Sequence, residues 1–184
     1  MTDYNLTTAR LLLRPYADSD IESIHAYASD AVVSCYMLWG PNTFEQTREF
    51  IETVHKGGKE VPRTKYDFAI ELTETGKMIG GCGIYLRGDE LKVGELGYVL
   101  NPEYHRQGIM PEAVGALIEF GFEKLNLHRI FARCHPENRP SARVMEKAGL
   151  KYEGRIRESE RVKGDWWDYL FYSILEQEWF NAHP

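Results

Sequence analysis

The pattern of apolar residues changes in the middle of the chain, and this change limits the folds that the sequence can adopt. Three segments have the composition of strands and are separated by turn-like segments at residues 74–77 and 87–90; they span residues 66–72, 78–85 and 93–100. From Pro111 onwards the apolar residues recur with helical spacing as far as Leu125. We therefore predict an antiparallel meander followed by an amphipathic helix.

The flanking segments complete a mixed sheet. Further strands are predicted at residues 10–15, 128–134, 152–157 and 167–175, and further helices at residues 21–28, 43–57 and 140–149. The second helix has a capping-box pattern at Thr43 and Gln46, and Pro140 and Gly149 suit the two ends of the last one. The prediction is one α+β domain (α/β in looser usage) over residues 1–184, with a mostly antiparallel sheet of about seven strands flanked by about four helices.

Composition excludes several classes of protein. No stretch approaches the roughly 18 apolar residues of a membrane span, and residues 1–5 do not resemble a secretory signal. Cys35, Cys82 and Cys134 are odd in number and lack paired spacing, which favours a reducing, cytoplasmic location. A net charge of -6 disfavours nucleic acid as a direct partner. His128, Cys134 and His135 lack metal-ligand spacing, so we expect no metal site.

The segment between the third strand and the amphipathic helix, residues 105–111, suits an anionic ligand. Gly108 allows a close approach of the backbone, and the helix that follows presents unpaired NH groups and a partial positive charge. Arg106 adds a cation, and Pro111 fits a first helical turn, where its missing NH is not needed. An ordinary strand-to-helix connection is the alternative interpretation.

This segment resembles the coenzyme A pyrophosphate loop of the GNAT (Gcn5-related) N-acetyltransferases. The family pattern is Gln/Arg-x-x-Gly-x-Gly/Ala, and this chain has His105-x-x-Gly108-x-Met110, which departs from it at His105 and Met110. The resemblance implies the acyl-CoA N-acyltransferase fold, acetyl-CoA as cosubstrate and transfer of an acetyl group to an amine. It assigns the cofactor loop to His105, Arg106, Gln107, Gly108, Ile109 and Met110.

The resemblance is strongest to the ribosomal-protein N-terminal acetyltransferase (RimJ/RimL-type) branch, and it covers nearly the whole chain. It is carried by residues 10–15, 94–98 and 172–179, and by an Asn-x-x-Ser and Glu-Lys-x-Gly-Leu signature at Asn138, Ser141 and residues 146–150. The match implies that Asn138 and Ser141 lie beside the thioester. It also implies that the backbone of Tyr98, Val99 and Leu100 pairs with the pantetheine amides. Helix capping is the other explanation for Asn138 and Ser141.

Acetyl transfer to an amine needs a group that takes a proton from the amine and a group that protonates the leaving thiolate. Some relatives use a tyrosine as the acid, but Met145 stands at that position here, so we assign the acid to Ser141. Comparison with the branch assigns the base to Glu160, with Glu158 second and Glu95, acting through a water, as a further candidate. The alternatives are a solvated charge run for residues 157–161 and a surface ion pair for Glu95.

Aromatic residues are candidates for the walls of an acceptor pocket. Tyr36, Trp39 and Trp166 offer rigid apolar surface and cation-π attraction to an ammonium group, although core packing explains them equally well; Glu95 completes the predicted pocket. The acceptor is predicted to be a protein N-terminus, with a polyamine, amino acid or aminoglycoside as the alternative. A coenzyme A binding module without turnover is the non-enzymatic alternative, and a homodimer is left open.

Overall fold

The computed structural model describes residues 4–88 and 92–183. The strands are β1 (Leu6–Thr7), β2 (Leu11–Arg14), β3 (Lys65–Leu72), β4 (Lys77–Arg87), β5 (Val93–Leu100), β6 (Arg129–Cys134), β7 (Lys151–Val162) and β8 (Asp165–Leu175). The helices are α1 (Ile21–Ala28), α2 (Ala31–Ser34), α3 (Phe44–Gly57), α4 (Ile109–Glu123), α5 (Arg139–Lys147) and α6 (Glu176–Ala182). Of the predicted turn at residues 87–90, Asp89 and Glu90 lie outside the described residues.

These strands form one mixed sheet in the order β1-β2-β3-β4-β5-β6-β8-β7. The predicted meander is confirmed, because β3, β4 and β5 pair antiparallel in sequence order. Among the strands of residues 4–88 and 92–183, only β5 and β6 pair in parallel, since the chain crosses over through α4 between them. The predicted α+β class is confirmed.

Local signals place the helix starts. Thr43 and Gln46 make both hydrogen bonds of the predicted capping box before α3. Asn138 caps α5, where its side chain accepts a hydrogen bond from the backbone NH of Ser141. Helix α4 begins at Ile109, two residues before the predicted Pro111, because Gly108 provides a left-handed residue that turns the chain into the helix.

The structure contains short elements and a long hairpin that the sequence pattern did not predict. β1 has two residues and α2 has four, which is too short for a periodic signal. The predicted strand at residues 152–157 extends to Val162 as β7, whose side chains are mostly exposed, so it lacks apolar alternation. Within residues 4–88 and 92–183, no helix is both long and apolar enough to cross a membrane.

The two faces of the sheet carry separate apolar clusters. We call one the α4 face, where Val114, Leu117 and Ile118 of α4 pack with Leu96 and Ile130 of the central strands. The other is the α1 face, whose buried residues come from α1, α3 and the first strands; they include Ile24, Tyr27, Ile51, Ala69 and Met78. Because α1 and α3 lie over the first part of the sheet, the α1 face of β6, β8 and β7 carries charged and aromatic side chains instead.

Two glycines give opposite predictions for stability. An added Cβ at Gly80 would lie 2.5 Å from the Val99 carbonyl oxygen, and backbone must then shift. A Cβ at Gly115, inside α4, would meet no atom within 4 Å. Gly80→Ala should therefore lower the free energy of unfolding by about 1–3 kcal/mol, and Gly115→Ala should raise it by about 0.5–1 kcal/mol. Urea unfolding of both variants checks this, and equal effects would contradict it.

Candidate active site

The two central strands separate at their carboxyl ends. β5 and β6 pair only through residues 93–95 and 129–131, although β5 continues to Leu100 and β6 to Cys134. On its other side β5 stays paired to β4 as far as Leu100. The backbone of Tyr98, Val99 and Leu100 therefore has no strand partner on its β6 side, and in the described part of the chain only the Leu100 carbonyl is contacted there, by the His105 ring. A ligand with amide groups can pair with this edge along the gap.

The loop before α4 lies at one end of this gap, and the N-terminal segment holds it. Gly108 has φ +74°, a left-handed conformation that favours glycine. Arg10 donates to the Gln107 carbonyl at 2.9 Å and pairs with Glu112 at 2.6 Å. The first NH groups of α4 have no carbonyl within the helix to bind, so this end of the helix is suited to a phosphate.

Individual side chains of the loop differ in what they can contribute. The His105 ring nitrogen Nε2 lies 3.0 Å from the Leu100 carbonyl oxygen, so His105 braces the end of β5. Ile109 and Met110 are buried in the core beneath the helix. Arg106 is exposed, which leaves its guanidinium available to an anion. The loop thus offers a backbone cradle and one cation.

A pair of hydroxyl groups stands across the gap on the α4 face. The Tyr98 hydroxyl oxygen is 2.9 Å from Ser141 Oγ and 3.1 Å from the Ser141 carbonyl oxygen. Tyr98 belongs to β5 and Ser141 to the first turn of α5, so this contact joins the two sides of the gap. Asn138 is engaged as the cap of α5, so capping accounts for its side chain in this structure.

A chain of ion pairs crosses the α1 face at the same level of the sheet. Arg133 on β6 donates to Glu95 on β5 at 3.0 Å and to Glu160 on β7 at 2.9 Å. Its guanidinium also lies over the Tyr169 ring, 4.5 Å from the centroid. Two of the three carboxylates predicted as candidate bases, Glu95 and Glu160, are therefore held on either side of one arginine.

These carboxylates differ in the oxygen atoms that they leave available. Both oxygens of Glu95 are engaged, Oε1 by Arg133 and Oε2 by Arg87 at 2.8 and 2.9 Å. Glu160 accepts from Arg133 and Tyr169 through Oε2 alone, and its Oε1 accepts no hydrogen bond from residues 4–88 or 92–183. Glu158 is exposed in an irregular part of β7. Of the two carboxylates bound by Arg133, Glu160 is thus the one with an oxygen free for a substrate.

Aromatic side chains continue the α1 face beyond Glu160, and we call Tyr36, His135 and Trp167 the aromatic group. Tyr36 stacks on His135 with ring centroids 5.1 Å apart, and Trp167 meets His135 edge-on at 5.0 Å. Trp39 packs against the apolar cluster of the α1 face. Trp166 is 61% exposed and lies on the opposite face of the β7–β8 hairpin from Trp167, where it lines a cavity that His135 also borders.

Sequence reasoning missed Trp167, but the hairpin turn held the signal that could have found it. Lys163 and Gly164 form a two-residue connection, so counting outwards places Glu160 opposite Trp167 and Arg161 opposite Trp166. Opposite residues share a face of the sheet, which selects Trp167 as the neighbour of Glu160. Arg133 carried no such local signal, because its partners come from three other strands.

Comparison with known proteins agrees with this geometry. Residues 10–151 match the family described as Acetyltransferase (GNAT) domain. The chain belongs to the GNAT acetyltransferase family. The uncharacterized N-acetyltransferase YnaD of Bacillus subtilis is 37% identical over 175 residues, which cover 95% of this chain and 99% of that protein. The GNAT chain is therefore an acetyltransferase enzyme, as predicted.

Solved structures of related proteins confirm the fold. A GNAT acetyltransferase of Bacillus anthracis superposes with a TM-score of 0.84 at 35% identity and covers 95% of this chain and 100% of its own. The ribosomal-protein-S5-alanine acetyltransferase of Vibrio fischeri has a TM-score of 0.76 at 26% identity, with coverages of 96% and 99%. The spermidine N-acetyltransferase of Vibrio cholerae, solved with CoA and spermine, is 22% identical with a TM-score of 0.79, covering 95% and 100%, and shows the fold alone.

The loop geometry predicts the effect of a branched residue at Gly108. Gly108→Val strains a φ of +74° and displaces the NH groups that face the gap, so acetyl-CoA affinity should fall at least about tenfold. Gly88→Val is the matched control, because Gly88 has φ +79° and a Cβ there would meet no atom within 4 Å. Isothermal titration with acetyl-CoA measures both. Equal affinities would place the donor elsewhere.

Proposed function

We propose that this enzyme transfers an acetyl group from acetyl-CoA to the N-terminal α-amine of a protein, by direct attack in a ternary complex. The observation that carries the proposal is the arrangement of groups about the β5–β6 gap. The hydroxyl of Ser141 lies on the α4 face and the free oxygen of Glu160 belongs to the α1 face. Donor and acceptor can therefore approach from opposite faces and meet in the gap.

Donor binding uses the backbone more than side chains. The free edge of Tyr98, Val99 and Leu100 pairs with the pantetheine amides, and the loop at Gly108 with the α4 N-terminus holds the pyrophosphate. Arg106 adds charge compensation. A bound thioester would supply an activated acetyl group, with Ser141 beside its sulfur.

The neighbouring thiol favours direct attack over an acetylated enzyme. Cys134 lies at the end of β6 and contacts the Ser141 side chain. Burial raises the pKa of this thiol to about 11, against a lowering by the contact with Ser141. At neutral pH Cys134 therefore stays protonated and is a poor nucleophile.

Protons are moved by two groups on opposite sides of the gap. The free Oε1 of Glu160 takes a proton from the attacking amine, while Arg133 and Tyr169 fix the other oxygen. Ser141 Oγ gives a proton to the leaving sulfur. Water then removes the proton from Glu160 and restores the one on Ser141, so the balance closes without a further reactant.

The chemistry of the amine favours a protein N-terminus as acceptor. An α-amine has a pKa near 7.7–8.0, so deprotonating it at pH 7 costs about 1 kcal/mol, against about 4–5 kcal/mol for a lysine-like amine. The aromatic group of Tyr36, His135 and Trp167 provides a cation-π wall beside Glu160. The similarity to the ribosomal-protein acetyltransferase of Vibrio fischeri supports a ribosomal protein as substrate.

A panel of acceptors tests this assignment. Thiol release from acetyl-CoA is followed with ribosomal-protein N-terminal peptides, the same peptides blocked at the α-amine, polyamines and aminoglycosides. We expect turnover with the free peptides and none with the blocked ones, and mass spectrometry should place the acetyl group on the α-amine. Turnover with polyamines alone would favour a small-amine acetyltransferase. Tight binding of acetyl-CoA with no turnover would favour the binding module.

Replacing the proposed base separates catalysis from binding. Glu160→Gln keeps the shape of the side chain but cannot accept the amine proton, so kcat should fall by about 10²–10⁴ with acetyl-CoA affinity unchanged. Glu153→Gln is the control on the same strand, because Glu153 is also paired to an arginine, Arg129 at 2.6 Å, outside the gap. Steady-state kinetics of both variants test the assignment. A similar kcat in both would remove Glu160 from the reaction.

A further inference from the structure

Ser141 depends on a second side chain for its orientation. A serine hydroxyl rotates freely and has one proton, so an acid built from serine needs something to direct that proton. Two side chains touch the Ser141 hydroxyl: Cys134, whose thiol is a weak hydrogen-bonding group, and Tyr98, whose hydroxyl oxygen is 2.9 Å from Oγ. Its ring is fixed between β5 and α5, and it packs against the core of the α4 face.

We infer that the Tyr98 side chain is a positioning residue that holds Ser141 Oγ and directs its proton to the leaving sulfur. This inference rests on the proposed role of Ser141. The Tyr98 hydroxyl lies within donating distance of two acceptors on Ser141, Oγ at 2.9 Å and the carbonyl oxygen at 3.1 Å. When it donates to Oγ, the shorter contact, the serine proton is left free to reach the gap. The same hydrogen bond strengthens as negative charge develops on Oγ, because a hydrogen bond to a charged acceptor is stronger than one to a neutral acceptor.

The state of the phenol agrees with a donor role. Burial raises the pKa of the Tyr98 phenol well above its usual value, against a smaller lowering by the hydrogen bond to Ser141. Tyr98 therefore keeps its proton throughout the pH range in which the amine reacts. No proton leaves Tyr98, so the proton balance of the reaction is unchanged.

The position of Tyr98 also links the donor site to the acid. Its backbone belongs to the free edge of β5, and its side chain reaches the first turn of α5. A donor paired to that edge is thereby placed in register with Ser141. Tyr98 then sets both the position of the thioester along β5 and the orientation of the Ser141 hydroxyl.

The test is a double-mutant cycle with a matched control. Tyr98→Phe removes only the hydroxyl group that contacts Ser141. The control, Tyr172→Phe, removes a hydroxyl group from the same core cluster that donates to Glu146 at 3.2 Å and forms no hydrogen bond with Ser141. Tyr98→Phe should lower kcat roughly three- to tenfold, the effect of one hydrogen bond, with KM for acetyl-CoA within about twofold. Tyr172→Phe should leave kcat unchanged, and thermal unfolding shows whether both variants fold alike.

Combination with Ser141→Ala decides whether Tyr98 acts through the serine. If it does, Tyr98→Phe has no further effect on kcat in the Ser141→Ala background. If the two substitutions lower kcat by independent factors that multiply in the double variant, the inference is overturned. It is also overturned if Ser141→Ala lowers kcat and Tyr98→Phe does not. Either result leaves the proposed acid in place. A full rate in Ser141→Ala would overturn the proposed acid itself, and the inference with it.

Discussion

The early separation of β5 and β6 is the constraint on which the rest of the structure depends. Three residue pairs hold the two strands together, and beyond them β5 keeps only its partner β4. A sheet normally satisfies its backbone groups by pairing, so an open edge in its centre is a place for a ligand to pair. The loop at Gly108, the Tyr98–Ser141 contact and the ion pairs of Arg133 all lie around this opening.

The opening also divides the chemistry between the two faces of one sheet. The α4 face supplies a hydroxyl beside a buried thiol, and the α1 face supplies carboxylates, an arginine and aromatic rings. Residues adjacent on a strand point to opposite faces, so neighbouring residues of β5 and β6 serve different sides. This arrangement favours direct attack of the amine on the thioester in the gap, because acetyl-CoA and the acceptor reach the gap from different faces.

Hydrogen bonding of the two carboxylates explains why a residue on an exposed hairpin is the better candidate than one in the centre of the sheet. Glu95 lies beside the gap, but Arg87 and Arg133 engage both of its oxygens. Glu160 shares Arg133 and keeps Oε1 free. The long hairpin also reaches α2, where Lys163 donates to the Ser34 carbonyl at 2.8 Å. The length of the hairpin thus brings Glu160 beside Arg133, and the contact of Lys163 attaches the tip of the hairpin to α2.

The sequence by itself determined the elements that have strong local signals. The meander, the amphipathic α4 and the capping box at Thr43 follow from periodicity and from the backbone preferences of single residues. Tertiary structure alone decided the extent of the exposed β7 and the ion pairs of Arg133. It also decided the side-chain contact of Tyr98 with Ser141. The contacts of Arg133 and Tyr98 join residues distant in the chain, and the mostly exposed β7 carries no apolar alternation, so no local pattern encodes them.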